Sequence, residues 1–208
     1  MIPVKVLAVR YLANGSTELC RGLGAPEGYP SLGLLTTDCD DATYIALDEA
    51  TKASDVQVAY GRSFYAGAAN ASTPHAGEVM GILAGRTPGD VRSGMEAALN
   101  ALGRIGFAQT GGVPYLAHTV ASAGSFLAKE AGVPIGSALA YLIAPPLESM
   151  YALDAALKAA DVKLCKLYTP PSETNFGGGL LTGTQSACDA ARAAFAAAVE
   201  EVAARPME

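Results

Sequence analysis

The chain has 208 residues, half of them hydrophobic and only 16% charged, with a formal net charge of −6. That length holds one large or two small domains, and the low charged share leaves little to cover a lone monomer, so sizeable subunit interfaces are expected in place of a monomer with an alanine-rich core. Scattered Lys and Arg in an acidic chain exclude a nucleic-acid partner and an anionic membrane surface, and no apolar run approaches the roughly 18 residues of a membrane span.

Residues 4–12 form an apolar run that reads as a buried strand; Lys5 and Arg10 inside it, and the turn residues after it, set it apart from a signal peptide. Residues 16–23 can form one or two helical turns, and residues 31–37 read as a second strand. From 40 to 54 the period changes, because Tyr44, Leu47, Ala50 and Ala53 fall on one helical face, and Asp38 or Asp40 can cap that helix. Strands at 56–65 and 78–84 enclose a loop of small residues, 66–76. Pro88 then starts a helix over 90–102. Residues 103–112 read as a short linker, too short for two halves to move as independent beads.

The same order then returns: a strand at 114–122, a short helix at 125–131, a strand at 137–144 and a helix at 147–160 with Met150, Leu153 and Leu157 on its apolar face. Strands at 162–168 and 179–182 follow, then a long alanine-rich helix at 186–204. The order returns because the sequence does. Ala46-Leu47-Asp48-x-Ala50-x-Lys52-Ala53-x-Asp55-Val56 reappears as Ala152-Leu153-Asp154-x-Ala156-x-Lys158-Ala159-x-Asp161-Val162, a spacing of 106 residues that holds without a gap from Ser31 against Ser137 to Val58 against Leu164. A repeat of that size is a duplicated domain and not a solenoid module. The expected fold is α/β in the α+β arrangement, two tandem domains over 1–107 and 108–208, each a small sheet with helices on one side.

Catalytic chemistry finds little to work with. Cys20, Cys39, Cys165 and Cys188 are dispersed, with no CxxC pair and no histidine at metal spacing, and read as reduced thiols. Residues 178–184 lack the lysine of a phosphate loop, Gly22, Gly24 and Gly28 miss the dinucleotide spacing, and Ser63 lacks the second glycine of a nucleophile elbow. His75 lies in a polar loop. His118 lies in a predicted strand, where it is either a metal ligand or base, or a hydrogen-bonded strand histidine. No enzyme, cofactor or metal site is expected.

What remains is a difference between the copies. Asp40 and Asp41 open the helix of copy one where copy two has Pro146 and Leu147, and Glu78 falls opposite Phe176 when Gly85 is matched to Gly183. The architecture therefore does not demand these acids. Either they cap the helix and complement its dipole, or they form an acidic pocket for a small cation such as a primary amine; a divalent metal has nothing beyond the oxygen count in its favour. The small-residue loop 66–74 and the segment 170–176 occupy comparable places between strands, as ordinary solvent loops or as a ring close to a symmetry axis.

Ser31-Leu32-Gly33-Leu34, Asp38-Cys39-Asp40-Asp41, Asp48-Glu49-Ala50-Thr51-Lys52, Tyr65-Ala66-Gly67-Ala68, Ala144-Pro145-Pro146-Leu147-Glu148 and Leu181-Thr182-Gly183-Thr184-Gln185, together with the duplication, resemble a tandem-domain bacterial microcompartment shell protein, the L-type of the ethanolamine-utilisation compartment. The resemblance covers nearly the whole chain. It implies two permuted shell domains, a homotrimer shaped as a pseudohexamer that tiles with other shell proteins in a bacterial microcompartment of the cytoplasm, a gated central channel, and one small pore per subunit. In the family that pore binds ethanolamine through residues matching Asp40, Asp41, Glu78, Phe107 and Thr174, and ligand there favours a closed gate. Tyr65 and Gly67 match the gate. The segment 107–114 is shorter here than in the family pattern. A soluble small-amine sensor or enzyme built on the same acidic pocket, or a tile of a different microcompartment, are the competing readings.

Overall fold

The computed structural model describes residues 1–64, 78–170 and 176–207. The chain divides into two compact units, one made of Pro3–Ile105 with Gly124–Leu127, the other of Met1–Ile2, Gly106–Ala123 and the chain from Ala128 onward. We call them the N-terminal and C-terminal units.

A two-residue strand, β1 (Ile2–Pro3), joins the sheet of the C-terminal unit. The N-terminal unit then runs β2 (Val6–Leu12), α1 (Thr17–Gly22), β3 (Ser31–Thr37), α2 (Asp40–Ala53), β4 (Val56–Ser63), β5 (Val79–Gly85) and α3 (Pro88–Leu102), with an antiparallel sheet in the order β2-β3-β5-β4. Alternation along the strands divides its two faces. On β5, a Cβ at Gly81 would meet Leu47 of α2 and one at Gly85 would meet Val91 of α3, while Ile82 and Ala84 point the other way into a cluster with Tyr29, Leu32, Cys20 and Leu23. Helices α2 and α3 thus cover one face, and α1 with the segment after it covers the other. The expectation of helices on one side only missed this second layer, because α1 is too short to announce an apolar stripe.

The C-terminal unit runs β6 (Gly106–Thr110), β7 (Val113–Val120), α4 (Ser125–Ala131), β8 (Ala138–Ala144), α5 (Pro146–Ala159), β9 (Val162–Tyr168), β10 (Gly177–Gly183) and α6 (Gln185–Ala204), in a sheet ordered β1-β6-β7-β8-β10-β9. Its core packs Leu142, Leu153, Leu181, Phe195 and Val199 among alanines of β8, α5 and α6. Four of its strands, β7-β8-β10-β9, repeat the order β2-β3-β5-β4. The match extends to an irregularity: pairing slips between Val58 and Tyr60 on β4, and between Leu164 and Lys166 on β9, so Ala59 and Cys165 are bulged at the same place in the repeat.

The predicted linker at 103–112 is not a linker. Residues 106–110 form β6, which pairs with β7 across the two-residue turn Gly111-Gly112, where φ is +52° and +86°. A two-residue hairpin whose backbone twist matches the strands needs positive φ at both central positions, which glycine adopts without strain. All four cysteines are free thiols. Among the described residues no helix is long and apolar enough to cross a membrane.

Candidate functional site

The strand-to-helix turn after β3 is fixed from within. Thr37, fully buried, takes the Cys39 N–H on its hydroxyl at 3.1 Å and lies 2.7 Å from the buried hydroxyl of Thr43, which donates to the Cys39 carbonyl at 2.7 Å. This knot makes Cys39 the residue preceding the helix, with no side-chain cap of its own, and places Asp40 and Asp41 in the first turn of α2. The expectation that Asp38 or Asp40 caps α2 is therefore corrected: Asp38 instead accepts the Lys5 N–H at 2.7 Å, and Asp40 is already inside the helix.

Asp40 and Asp41 are each only 7% exposed. One carboxylate oxygen of Asp40 accepts the Asp41 N–H at 2.9 Å, and the other accepts the Ser63 hydroxyl at 2.6 Å. Ser63 has a single proton, so the Tyr44 phenol, 2.7 Å from the same oxygen, donates to Ser63, and a relay runs Tyr44 to Ser63 to Asp40. Ser63 is the last residue of β4, paired with Val79 of β5, which brings it beside Glu78.

Glu78 is held by its backbone. Its N–H donates to the Thr37 carbonyl and its carbonyl accepts the Phe64 N–H, both at 2.8 Å, so it bridges the ends of β3 and β4. Its half-buried carboxyl has a raised pKa, first through burial and then through the negative charges of Asp40 and Asp38. The Cys39 thiol is pushed up strongly, again by burial first, with Asp41, Asp40 and Glu78 adding to it. That thiol is a neutral group beneath an acidic cluster and not a nucleophile.

Of the residues singled out from sequence, Asp40, Asp41 and Glu78 thus meet at one end of the N-terminal sheet. Phe107 lies on β6 of the C-terminal unit, 9% exposed, where its ring sits 5.8 Å from that of Phe176 just before β10. Tyr65, Gly67 and Thr174 lie outside the described residues, as does His75. His118 is on β7 opposite Tyr141. Sequence reasoning missed Ser63 and Tyr44 as partners of Asp40. Ser63 was weighed only as a nucleophile, and the signal that could have found it is its place at the end of β4, next to the β5 start that carries Glu78.

In copy two, α5 begins with Pro146 and Leu147 after Pro145, and Leu147 is 64% exposed. The helix forms with neither acid at the positions of Asp40 and Asp41, and Glu148 is the acid in its first turn. Among the described residues no group of three or more His, Cys, Asp and Glu side chains has the arrangement of a metal site. The geometry suits the recognition of a small cation by charge-assisted hydrogen bonds.

Residues 31–113 match the BMC domain. The chain is 55% identical over 211 residues to the bacterial microcompartment shell protein EutL of Clostridium perfringens (strain 13 / Type A), covering 100% of this chain and 97% of that protein. It superposes on the crystal structure of ethanolamine utilization protein EutL from Leptotrichia buccalis C-1013-b with a TM-score of 0.96 at 56% identity, over 100% of this chain and 97% of that one. The trimeric bacterial microcompartment shell protein PduB shares the fold, with a TM-score of 0.80 at 21% identity over 96% of this chain and 89% of that one. Identity of this extent over both full lengths, on a fold that repeats itself strand for strand, leads to one assignment: the chain belongs to the EutL family of bacterial microcompartment shell proteins.

Proposed function

We propose that the chain forms homotrimeric tiles in the shell of an ethanolamine-utilisation microcompartment, and that Asp40, Asp41 and Glu78, with Phe107 and Thr174, bind ethanolamine in a small pore of each subunit. The family consists of structural shell proteins, not enzymes, which removes the reading of a soluble enzyme. A chain with only 16% charged residues needs subunit contacts to cover its surface, and PduB, of the same fold, is trimeric. Other shell proteins are the neighbours of such a tile.

The observation that carries the binding reading is the burial of two carboxylates, each 7% exposed, at helix positions where the other copy of the fold has Pro146 and Leu147. Removing ionised carboxylates from water and crowding them costs stability. An ammonium group offsets that cost through charge-assisted hydrogen bonds and by cancelling the repulsion that raises Glu78. Ligand seated there closes the central channel, with Tyr65 and Gly67 in the gate, provided that the closed state binds it more tightly than the open one.

Calorimetric titration of the assembled protein with ethanolamine tests this. Asp40→Asn and Glu78→Gln each remove one charged partner, worth about 1.5–3 kcal/mol, so the Kd rises roughly 10- to 150-fold. Wild type that binds no ethanolamine, or variants with an unchanged Kd, refute the assignment.

A further inference from the structure

Asp40 belongs to a set of residues that changes as a set between the two copies of the fold. The shared bulge at Ala59 and Cys165 fixes the register, so Asp40 corresponds to Pro146, Tyr44 to Met150, Gly61 to Leu167 and Ser63 to Thr169. The C-terminal copy forms its helix and strand with none of the four, so the architecture does not call for them.

In the N-terminal unit the four meet. Positions four apart on a helix lie on one face, which puts Tyr44 one turn beyond Asp40 on α2. Ser63, at the end of β4, bridges them at 2.6 Å from Asp40 and 2.7 Å from Tyr44. Gly61, two residues earlier on the same face of β4, leaves room for the Tyr44 ring. A Cβ there would already lie 3.6 Å from that ring and 3.4 Å from the tip of Phe126, so a leucine like Leu167 would run into both. The Phe126 ring packs on Tyr44 with centroids 5.9 Å apart. Its own place is set by the buried carboxylate of Asp48, which accepts the N–H groups of Gly124 and Leu127 at 2.7 and 2.8 Å.

The direction of the hydrogen bonds gives this arrangement its use. An ionised carboxylate only accepts, so the Ser63 proton goes to Asp40 and the Tyr44 proton to Ser63. Each donation polarises the next hydroxyl in the same sense and strengthens the bond beyond it. The torsion that turns an aspartate carboxylate is soft and roughly two-fold. With the Asp41 N–H on one oxygen and the Ser63 hydroxyl on the other, the Asp40 carboxylate cannot turn without giving up a bond. A carboxylate that is set before the ligand arrives does not have to be ordered by it.

We propose that Ser63 and Tyr44 are positioning residues of the cation site: Ser63 fixes the carboxylate plane of Asp40, and Tyr44, wedged between Gly61 and Phe126, fixes Ser63. This rests on the ethanolamine site proposed above and adds two residues that act on the ligand through Asp40.

Titration of the assembled protein with ethanolamine tests it. Ser63→Ala keeps the Asp40 charge but lets the carboxylate turn, so the Kd rises about 3- to 10-fold, the cost of ordering one side chain on binding and less than that of Asp40→Asn. Ser63→Thr keeps the donor and places at 63 the residue that the other copy carries at 169, so it recovers most of the lost affinity. Tyr44→Phe keeps the ring against Phe126 and removes the phenol. It raises the Kd by less than Ser63→Ala does and adds nothing when combined with it, because Tyr44 reaches Asp40 through Ser63. A wild type that binds ethanolamine, with an unchanged Kd in Ser63→Ala, a Ser63→Thr variant as weak as Ser63→Ala, or a Tyr44→Phe effect that adds in full to that of Ser63→Ala, overturns the positioning and leaves the site standing. A wild type that binds none overturns the site as well.

Discussion

Asp48→Ala is the most demanding substitution for this account of the fold. The Asp48 side chain is fully buried and its two oxygens each take a backbone N–H from residues 124–127, while Lys52 Nζ stands 3.8 Å away. Burial raises its pKa, and the N–H groups of Leu127 and Gly124 and the Lys52 ammonium oppose that rise. Truncation leaves two N–H groups without their acceptor, each bond to a charged group being worth about 1.5–3 kcal/mol. It also removes a desolvated charge, which returns part of that loss. We expect a net cost of about 3–5 kcal/mol, the range for breaking one side of a buried charged pair, and a fall in Tm of roughly 6–20 °C for a chain of this length. Thr51→Val removes the acceptor of the Ser125 N–H and a hydroxyl donor to the Asp48 carbonyl, both uncharged bonds, and should cost about 1–2 kcal/mol. Urea titration at one fixed protein concentration, so that assembly contributes equally, measures both. If Asp48→Ala costs no more than Thr51→Val, the carboxylate does not hold the first turn of α4 in place.

Glu78 gives a pH-dependent prediction. Its folded pKa is raised from the ordinary 4.5, so its contribution to stability is complete below that value and is lost as pH rises through the folded pKa. The urea midpoint of wild type minus that of Glu78→Gln should therefore fall as the pH goes from about 4 to about 8, and a difference that rises or stays flat contradicts the burial and, after it, the repulsion that raise this group. Two glycines predict unequal costs. Gly112→Ala places a Cβ at φ +86° in open space and should cost about 1–2 kcal/mol, whereas a Cβ on Gly178 would lie 1.9 Å from the Leu142 carbonyl oxygen, so Gly178→Ala should prevent soluble expression. Equal thermal stability of the two variants would refute the close approach of β10 to β8.

Much of the fold was legible because the chain states it twice. The periodic runs at 31–37, 125–131 and 162–168 became β3, α4 and β9 with the same limits, since burial on a pleat or a helical stripe leaves a local pattern. The segment 103–112 was read as a short linker because β6 is only five residues long and its Gly-Gly turn, a hairpin signal, was not recognised as one. The helix cap was misread because the knot of Thr37 and Thr43 satisfies the turn from strand and helix together, which no local rule anticipates. At the site, the acids stood out only by their absence from copy two. Ser63 and Tyr44 did not, because a hydroxyl reaching a carboxylate 23 residues away is a product of strand pairing.

The differences between the copies follow one physical logic. Six identical single domains around an axis would carry every substitution at six places, so an acidic helix start or a bulky strand residue would have to suit all six contacts at once. Fusing two copies relaxes that constraint, because a residue of one copy need not suit the setting of the other. Asp40 and Asp41 can then be buried with a Ser63 partner in one copy, while the same helix positions in the other are Pro146 and an exposed Leu147. Gly61 can likewise make room for Phe126 in one copy, while its counterpart in the other is Leu167, 44% exposed. In this view a conserved residue type need not keep one role: Asp48 is buried and holds residues 124–127, whereas its counterpart Asp154 is 63% exposed and pairs with Lys158.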